Sequence, residues 1–213
     1  MTAAPVPGWL ADLPAHAARE GGFFAGFGPI EGRHSAVLLL FGPHTGGGED
    51  VVLTERSATL RQHAGQVSFP GGTVDAGDAD DADTALREAW EETGLERSAV
   101  EVIGTLPAIP LSVTGFRVVP VAAWWPDPHP LGVRDPAEVA RVERVSLAAL
   151  ADPAHRFTAT HPRRGFAAPA FEIDGLYVWG FTAIVLDALL HLSGYERPWD
   201  TDDRRQVPDR FLR

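Results

Sequence analysis

Three glutamates, Glu88, Glu91 and Glu92, crowd into little more than one turn of the predicted helix ALREAWEETGL. At the helical advance per residue they share one sector of about 100° of the helix surface. Like charges at these spacings repel each other by about 0.2–0.5 kcal/mol per pair. The residues expected to pack lie on the opposite side, and they are Ala82, Leu86, Ala89, Trp90 and Thr93. Arg87 precedes Glu91 by four residues and can pair with it.

Two interpretations of this crowding remain open when the helix is considered alone. The first is a solvated acidic face, which is the commoner explanation of a run of charges. The second is a site for Mg²⁺ or Mn²⁺, because these hard cations take oxygen ligands from a few carboxylates, water and substrate phosphates. The second interpretation gains weight only from the sequence that precedes the helix.

The elements that position this helix alternate along the chain between short strands and helices. The predicted strands are residues 35–41, 50–56, 101–106, 116–125 and 138–145, and a hairpin spans residues 171–180 with its turn at Asp174–Gly175. A Pro-containing loop is expected over residues 107–115. Helices are expected over residues 146–150 and from Phe181 to about Leu192. Asp83 is the predicted N-cap of the acidic helix, and Gly94 is its predicted end.

The chain has 213 residues and a formal net charge of −11, and all 18 of its basic residues are arginine. An acidic protein of this kind is not expected to bind nucleic acid or membrane surfaces, although an arginine cluster can still receive a phosphorylated small molecule. The absence of cysteine excludes disulfides and thiolate metal sites. No basic segment followed by an apolar run opens the sequence, so a cytoplasmic location is expected.

The residues before and within the helix resemble the Nudix box, the loop-helix-loop signature of the Nudix hydrolases, written G-x(5)-E-x(7)-R-E-U-x-E-E-x-G-U with U apolar. The second half matches at every fixed position in REAWEETGL, residues 87–95. The first half departs from the pattern. Counted from Gly72, its acidic residue is Asp78 instead of glutamate, and eight residues instead of seven separate it from Arg87. The role of the first acid therefore falls to Asp78 or is shared with Asp75.

A second pattern overlaps the box. The stretch LTERSATLRQHAGQVSFPGG, residues 53–72, is similar throughout to L-T-x-R-S-x(3)-R-x(3)-G-x(3)-F-P-G-G, which marks the coenzyme A pyrophosphatase branch of the Nudix hydrolases. The resemblance extends from about Ser35 to Leu192. It implies a single Nudix domain over residues 1–213 of the α/β class, with a mixed β-sheet sandwiched between helices. The core is expected over about residues 35–192, with the N-terminal helical segment and the C-terminal tail as additions.

The resemblance also implies which side chains catalyse the reaction. The catalytic residues would be Arg87, Glu88, Glu91 and Glu92. The same three glutamates, together with the Gly71 carbonyl, would hold Mg²⁺ or Mn²⁺. Arg87 would fix Glu91 in place.

The predicted substrate-binding residues are Arg56, Arg61, His63, Phe69 and Gly72. Arginines offer forked donors to the pyrophosphate and the 3′-phosphate of coenzyme A, and His63 adds another donor. Glycine allows the backbone to approach phosphate or metal closely. The alternative interpretation treats both arginines as ordinary surface partners of nearby acids. Phe69 is expected to lie in the core more often than to stack on a base.

The implied reaction is metal-assisted hydrolysis of coenzyme A or an acyl derivative to 3′,5′-ADP and 4′-phosphopantetheine or its acylated form. Either a helix glutamate or Glu138 would accept the proton of the attacking water. The alternatives are a Nudix hydrolase of another nucleoside diphosphate derivative, such as a sugar nucleotide, and a non-catalytic Nudix-fold sensor. The segment Tyr177–Leu192 either completes the core or contributes to a homodimer interface.

Overall fold

The computed structural model describes residues 3–19, 32–111, 115–162 and 165–212. The α-helices in these ranges are α1 (Gly8–Arg19), α2 (Asp81–Thr93), α3 (Leu147–Leu150) and α4 (Gly180–Ser193). The strands are β1 (Arg33–Pro43), β2 (Glu49–Arg56), β3 (Val67–Ser68), β4 (Gly71–Thr73), β5 (Glu101–Thr105), β6 (Ile109–Leu111), β7 (Phe116–Trp124), β8 (Val139–Ser146), β9 (Arg156–Thr160), β10 (Ala167–Ile173), β11 (Leu176–Val178) and β12 (Arg204–Gln206). Short 3₁₀ turns occur at Arg97–Ala99, Pro153–His155 and Asp209–Phe211.

The larger sheet is built around the parallel pair β1 and β7. The order β3-β2-β1-β7-β5 runs across the sheet, while β8 pairs with β2, β4 with β1, and β6 with β7. Only the β1–β7 pairing is parallel among the described strands of this sheet, so the sheet is mixed. β1 reads as a continuous apolar run because both of its faces are covered.

Helices cover both faces of this sheet. Alternate residues of a strand point to opposite faces, so Leu38 and Leu40 of β1 pack in one cluster with Ala89 of α2. Leu39 packs in the opposite cluster with Leu186 of α4, where α1 also contributes buried side chains. The predicted α/β class, with a mixed sheet between helices, is confirmed.

The apolar segment before residue 193 forms strand β11 and helix α4, as the sequence predicts for residues 181–192. Val185, Leu186, Leu189 and Leu190 are all buried in the main core cluster. Of the two roles considered for this segment, the structure therefore shows the completion of the core. No helix in the described ranges is long and apolar enough to span a membrane.

A second sheet, which the sequence does not predict, has the order β11-β10-β9-β12. The hairpin turn at Asp174–Gly175 is confirmed, with φ angles of 51° and 77° that suit a type I′ turn. The C-terminal tail is more than an addition to the fold. Its strand β12 pairs with β9, and Val207 and Phe211 are buried in the cluster that this sheet forms.

The stretch expected to be a loop over residues 107–115 contains the short strand β6. β6 pairs with β7 and so extends the larger sheet. Residues 112–114 of this predicted loop lie outside the described residues.

Candidate active site

The ends of helix α2 are fixed by local chemistry. The side chain of Asp80 caps the N-terminus by accepting a hydrogen bond of 2.8 Å from the backbone N–H of Asp83. The prediction that Asp83 is the cap is therefore wrong, because the helix begins before it and places Asp83 in the first turn. At the other end Gly94 adopts the left-handed conformation with φ 78°, and its N–H donates to the Trp90 carbonyl at 3.0 Å. The predicted end of the helix is confirmed.

The three glutamates of α2 differ strongly in exposure. Glu92 is only 5% exposed, Glu88 is largely buried, and the side chain of Glu91 is 47% exposed. Ala85 and Ala89 hold the helix against the sheet. The acidic side of the helix is therefore partly enclosed by protein, which contradicts a uniformly solvated face.

Trp90 does not occupy the core position that the helical pattern predicts. Its side chain is 45% exposed. The guanidinium of Arg134 lies 4.7 Å from the centre of its ring. The buried residues of this face include Ala85, Leu86 and Ala89, and the indole of Trp90 stays outside it.

Strand β4 brings two glycines against the acidic side of α2. β4 pairs with β1, with Gly72 opposite Ala36. The N–H of Gly71 donates a hydrogen bond of 3.2 Å to Oε2 of Glu92. A Cβ atom on Gly72 would lie 2.4 Å from Cδ of Glu88, so only glycine leaves room for this carboxylate. The FPGG motif and the helix therefore form one site.

Arg87 connects the acidic residues of the site. Its Nη1 donates to Oε1 of Glu88 at 3.0 Å and to Oε2 of Glu91 at 3.3 Å. Its Nη2 donates to the carbonyl of Thr73 at 3.0 Å. The expected Arg87–Glu91 pair is present, and the shorter contact to Glu88 orients the more buried carboxylate.

Asp78 supplies the first acid of the box. It accepts hydrogen bonds from Nε and Nη2 of Arg87 at 2.9 and 3.0 Å, whereas the carboxylate of Asp75 lies 4.0 Å from Arg87 and is 72% exposed. The hydroxyl of Thr84 also donates to Asp78, at 2.8 Å. The hydrogen bonds from Arg87 hold the pKa of Asp78 far below its ordinary value. Geometry thus separates two acids that the sequence left as alternatives.

The ion pair of Asp78 gives a first testable prediction. We expect Asp78→Asn to lower the free energy of unfolding by about 2–3 kcal/mol at neutral pH, because Arg87 loses a nearly buried partner. Since the pKa of Asp78 is depressed in the folded protein, its contribution is present above the unfolded value of 3.8 and declines as the pH falls below it. Urea denaturation should therefore show a constant difference above about pH 5, which narrows as the pH falls below about 4.

The matched control for this prediction is Asp75→Asn, which removes the same charge from the same loop. Because Asp75 is exposed and distant from Arg87, we expect a change below about 0.5 kcal/mol. Equal losses in the two variants would show that Asp78 has no special role.

Glu92 lies in an environment that disfavours its negative charge. Burial raises the pKa of Glu92 to about 8, and the charges of Glu88 and Glu138 add to this effect. The Gly71 N–H and the charge of Arg56 oppose it. Burial likewise raises the pKa of Glu88, against the influence of Arg87. Burial therefore disfavours the charged form of both carboxylates more than the nearby donors favour it.

The donors of this site fit a hard divalent cation. Glu88 and Glu92 offer carboxylate oxygens in a partly dehydrated setting, and oxygen is the ligand that Mg²⁺ and Mn²⁺ prefer. Within the described ranges, no three histidine, aspartate or glutamate side chains already converge as a ready metal cluster. Substrate phosphates and water would complete such a coordination shell.

Two residues from outside the box also lie close to the helix. Arg56 lies at the end of β2, and its positive charge lowers the pKa of Glu92. Its Nε is buried with no hydrogen-bond partner among the described residues. The negative charge of Glu138 raises the pKa of both Glu88 and Glu92. Its backbone carbonyl accepts a hydrogen bond of 2.8 Å from the N–H of Ser57, just after β2. Both were candidates from the sequence.

The remaining candidates are placed differently. The side chain of Phe69 is buried in the main core cluster, so its prediction as a substrate contact is corrected: it supports the FPGG loop from within. His63 is exposed, and its Nδ1 lies 2.9 Å from Oε1 of Gln66. Arg61 lines a separate cavity whose other walls include Tyr177 and Arg210, which no motif in the sequence indicated.

Comparison with known proteins agrees with this geometry. Residues 32–166, more than half of the chain, match the NUDIX domain. The chain belongs to the Nudix family. It is 43% identical over 154 residues to an uncharacterized Nudix hydrolase, NudL, of Cronobacter sakazakii, covering 70% of this chain and 77% of that protein. The NudL of Shigella flexneri serotype 5b is 40% identical over 169 residues, covering 76% and 83%.

Solved structures support the Nudix fold in the same way. The crystal structure of RenU, a Nudix hydrolase from M. smegmatis, matches with a TM-score of 0.55 and 20% identity, over 82% of this chain and 99% of that chain. At this identity the likeness concerns the fold alone. The family match and the NudL relatives together identify the protein as a Nudix hydrolase acting on a nucleoside diphosphate derivative, and Nudix hydrolases generally use divalent cations such as Mg²⁺ or Mn²⁺.

Proposed function

We propose that this Nudix hydrolase cleaves the pyrophosphate bond of coenzyme A or acyl-coenzyme A, giving 3′,5′-ADP and 4′-phosphopantetheine or its acylated form. The observation that supports this proposal is the contact between the two segments that carry the sequence patterns. Within residues 53–72, which resemble the coenzyme A branch, the Gly71 N–H donates a hydrogen bond to Glu92 of the box, and the charge of Arg56 lowers the pKa of Glu92.

The residues of the site have distinct roles in this reaction. Glu88 and Glu92 would hold the divalent cation, with the Gly71 carbonyl and the more exposed Glu91 as further oxygen donors. The bound cation neutralises phosphate charge and lowers the pKa of water. Arg87 orients Glu88 and Glu91 through its hydrogen bonds. Arg56, whose Nε has no hydrogen-bond partner among the described residues, would donate from its guanidinium to the phosphoryl oxygens.

Glu138 is the proposed general base. Its carboxylate acts electrostatically on Glu88 and Glu92, is exposed, and has no hydrogen bond or ion pair within the described part of the chain. It would take the proton of a water whose oxygen attacks phosphorus, while the bond from phosphorus to the bridging oxygen breaks and that oxygen leaves on the other phosphate.

The experiment that tests the substrate is a panel assay with Mg²⁺ or Mn²⁺. It compares coenzyme A, dephospho-coenzyme A, acyl thioesters, a dinucleotide and a sugar nucleotide by the products they release. We expect 3′,5′-ADP from coenzyme A, and a kcat/KM for dephospho-coenzyme A lower by about tenfold or more, because a site that binds the 3′-phosphate rejects the analogue lacking it. Faster turnover of the sugar nucleotide or the dinucleotide would replace this proposal with the broader Nudix activity.

A further inference from the structure

A cavity of about 550 Å³ lies between the loop that follows β2 and the C-terminal segment. The catalytic proposal above does not use it. Arg61 lines it from the loop, Tyr177 from strand β11, and Arg210 and Phe211 from the last 3₁₀ turn. Its size falls within the range of small-molecule sites, roughly 300–1,000 Å³.

The C-terminal segment is anchored to the loop by specific contacts. The side-chain amide of Gln66 donates to the carbonyl of Phe211 at 3.1 Å. The ring of Phe211 stacks on Tyr177 with centroids 5.3 Å apart. The guanidinium of Arg210 lies 4.6 Å from the centre of the Phe211 ring, which holds the charge beside the cavity.

The cavity has an excess of hydrogen-bond donors. Within the described ranges neither Arg61 nor Arg210 has an ion pair, whereas the carboxylate of Glu55, also at the wall, lies 3.5 Å from Nε of Arg141. Tyr177 is 8% exposed and its Oη is buried with no hydrogen-bond partner among the described residues. Burial raises the pKa of Tyr177 to about 12, so its hydroxyl remains a donor at neutral pH.

Two forked cations at one cavity match an anion with several oxygens, and a phosphate monoester has this chemistry. We propose that this cavity is the subsite for the 3′-phosphate of the substrate, with Arg61 and Arg210 as its donors and Tyr177 as part of its wall. This inference rests on the proposed function. Arg61 follows Arg56 by five residues, and because that stretch of chain spans at most about 18 Å, one extended substrate can contact both arginines.

The first test measures substrate preference. Arg210→Gln should lower the ratio of kcat/KM for coenzyme A to that for dephospho-coenzyme A by about tenfold, with turnover of dephospho-coenzyme A unchanged. Arg204→Gln is the matched control, because it removes the same charge from an exposed position of the same segment outside the cavity. An unchanged ratio in Arg210→Gln, or an equal fall in Arg204→Gln, would overturn the inference.

The second test measures binding without catalysis. By calorimetry 3′,5′-ADP should bind the wild-type protein more tightly than 5′-AMP, and both Arg210→Gln and Arg61→Gln should reduce that difference. If coenzyme A is not hydrolysed but 3′,5′-ADP keeps its Arg210-dependent advantage, the proposed function fails and the subsite stands. Equal affinities for the two nucleotides would reject the subsite.

Discussion

Glu92→Gln is expected to lower kcat with Mg²⁺ or Mn²⁺ by at least about a hundredfold, which corresponds to ~2.7–4 kcal/mol of lost transition-state stabilisation. The substitution keeps the shape of the side chain but removes the charge of a buried oxygen donor that faces Gly71 and Glu88. A neutral amide is a weak ligand for a hard cation. The measurement is steady-state hydrolysis over a range of metal concentrations.

The control for this prediction is Glu96→Gln, the same change at an exposed residue just beyond the helix, which should leave kcat unchanged. Folding should not account for the loss in Glu92→Gln, because an amide is easier to bury than an unpaired carboxylate. Thermal unfolding of both variants checks this point. Full turnover by Glu92→Gln would show that the metal does not depend on this side chain.

The second large effect is expected at the paired glycines of β4, which should respond differently to alanine. In Gly72→Ala the three atoms nearest to the new Cβ all belong to the carboxylate of Glu88, the nearest at 2.4 Å, and a side chain can move aside. We therefore expect a folded protein whose turnover falls by about tenfold to a hundredfold, because Glu88 is displaced from the site.

In Gly71→Ala the new Cβ would clash with backbone atoms. The Cβ would lie 2.4 Å from the carbonyl oxygen of Ala36 and 2.7 Å from Cα of Val37, at a φ of +155°. We expect a loss of about 3 kcal/mol or more in the free energy of unfolding, together with loss of activity. Gly77→Ala is the control in the same loop, since nothing lies within 4 Å of its Cβ position. The free energy of unfolding and the turnover of Gly77→Ala should match those of the wild-type protein. Equal losses of stability in Gly71→Ala and Gly72→Ala would contradict the expected difference between the two glycines.

Local chemistry in the sequence determined the helix and its acidic side. The apolar and acidic residues of α2 segregate at helical spacing, and Gly94 ends the helix because glycine tolerates the left-handed conformation. The hairpin at Asp174–Gly175 follows from the same kind of local preference. The strands β1 and β2 were predictable because a central strand is apolar on both faces.

Only the tertiary structure decided which of these acidic side chains are buried and which of them pairs with Arg87. Spacing places Glu88, Glu91 and Glu92 on one side of a helix, but their burial depends on how β4 and the end of β2 close over that side. The choice of Asp78 over Asp75 depends in the same way on the position of Arg87.

The C-terminal tail shows the limit of the sequence most clearly. Arg210 lies beyond every motif. It lines the same cavity as Arg61 only because β12 pairs with β9 and Phe211 packs on Tyr177. Contacts between residues so distant along the chain arise from the burial of apolar surface in the whole fold, and no local spacing encodes them.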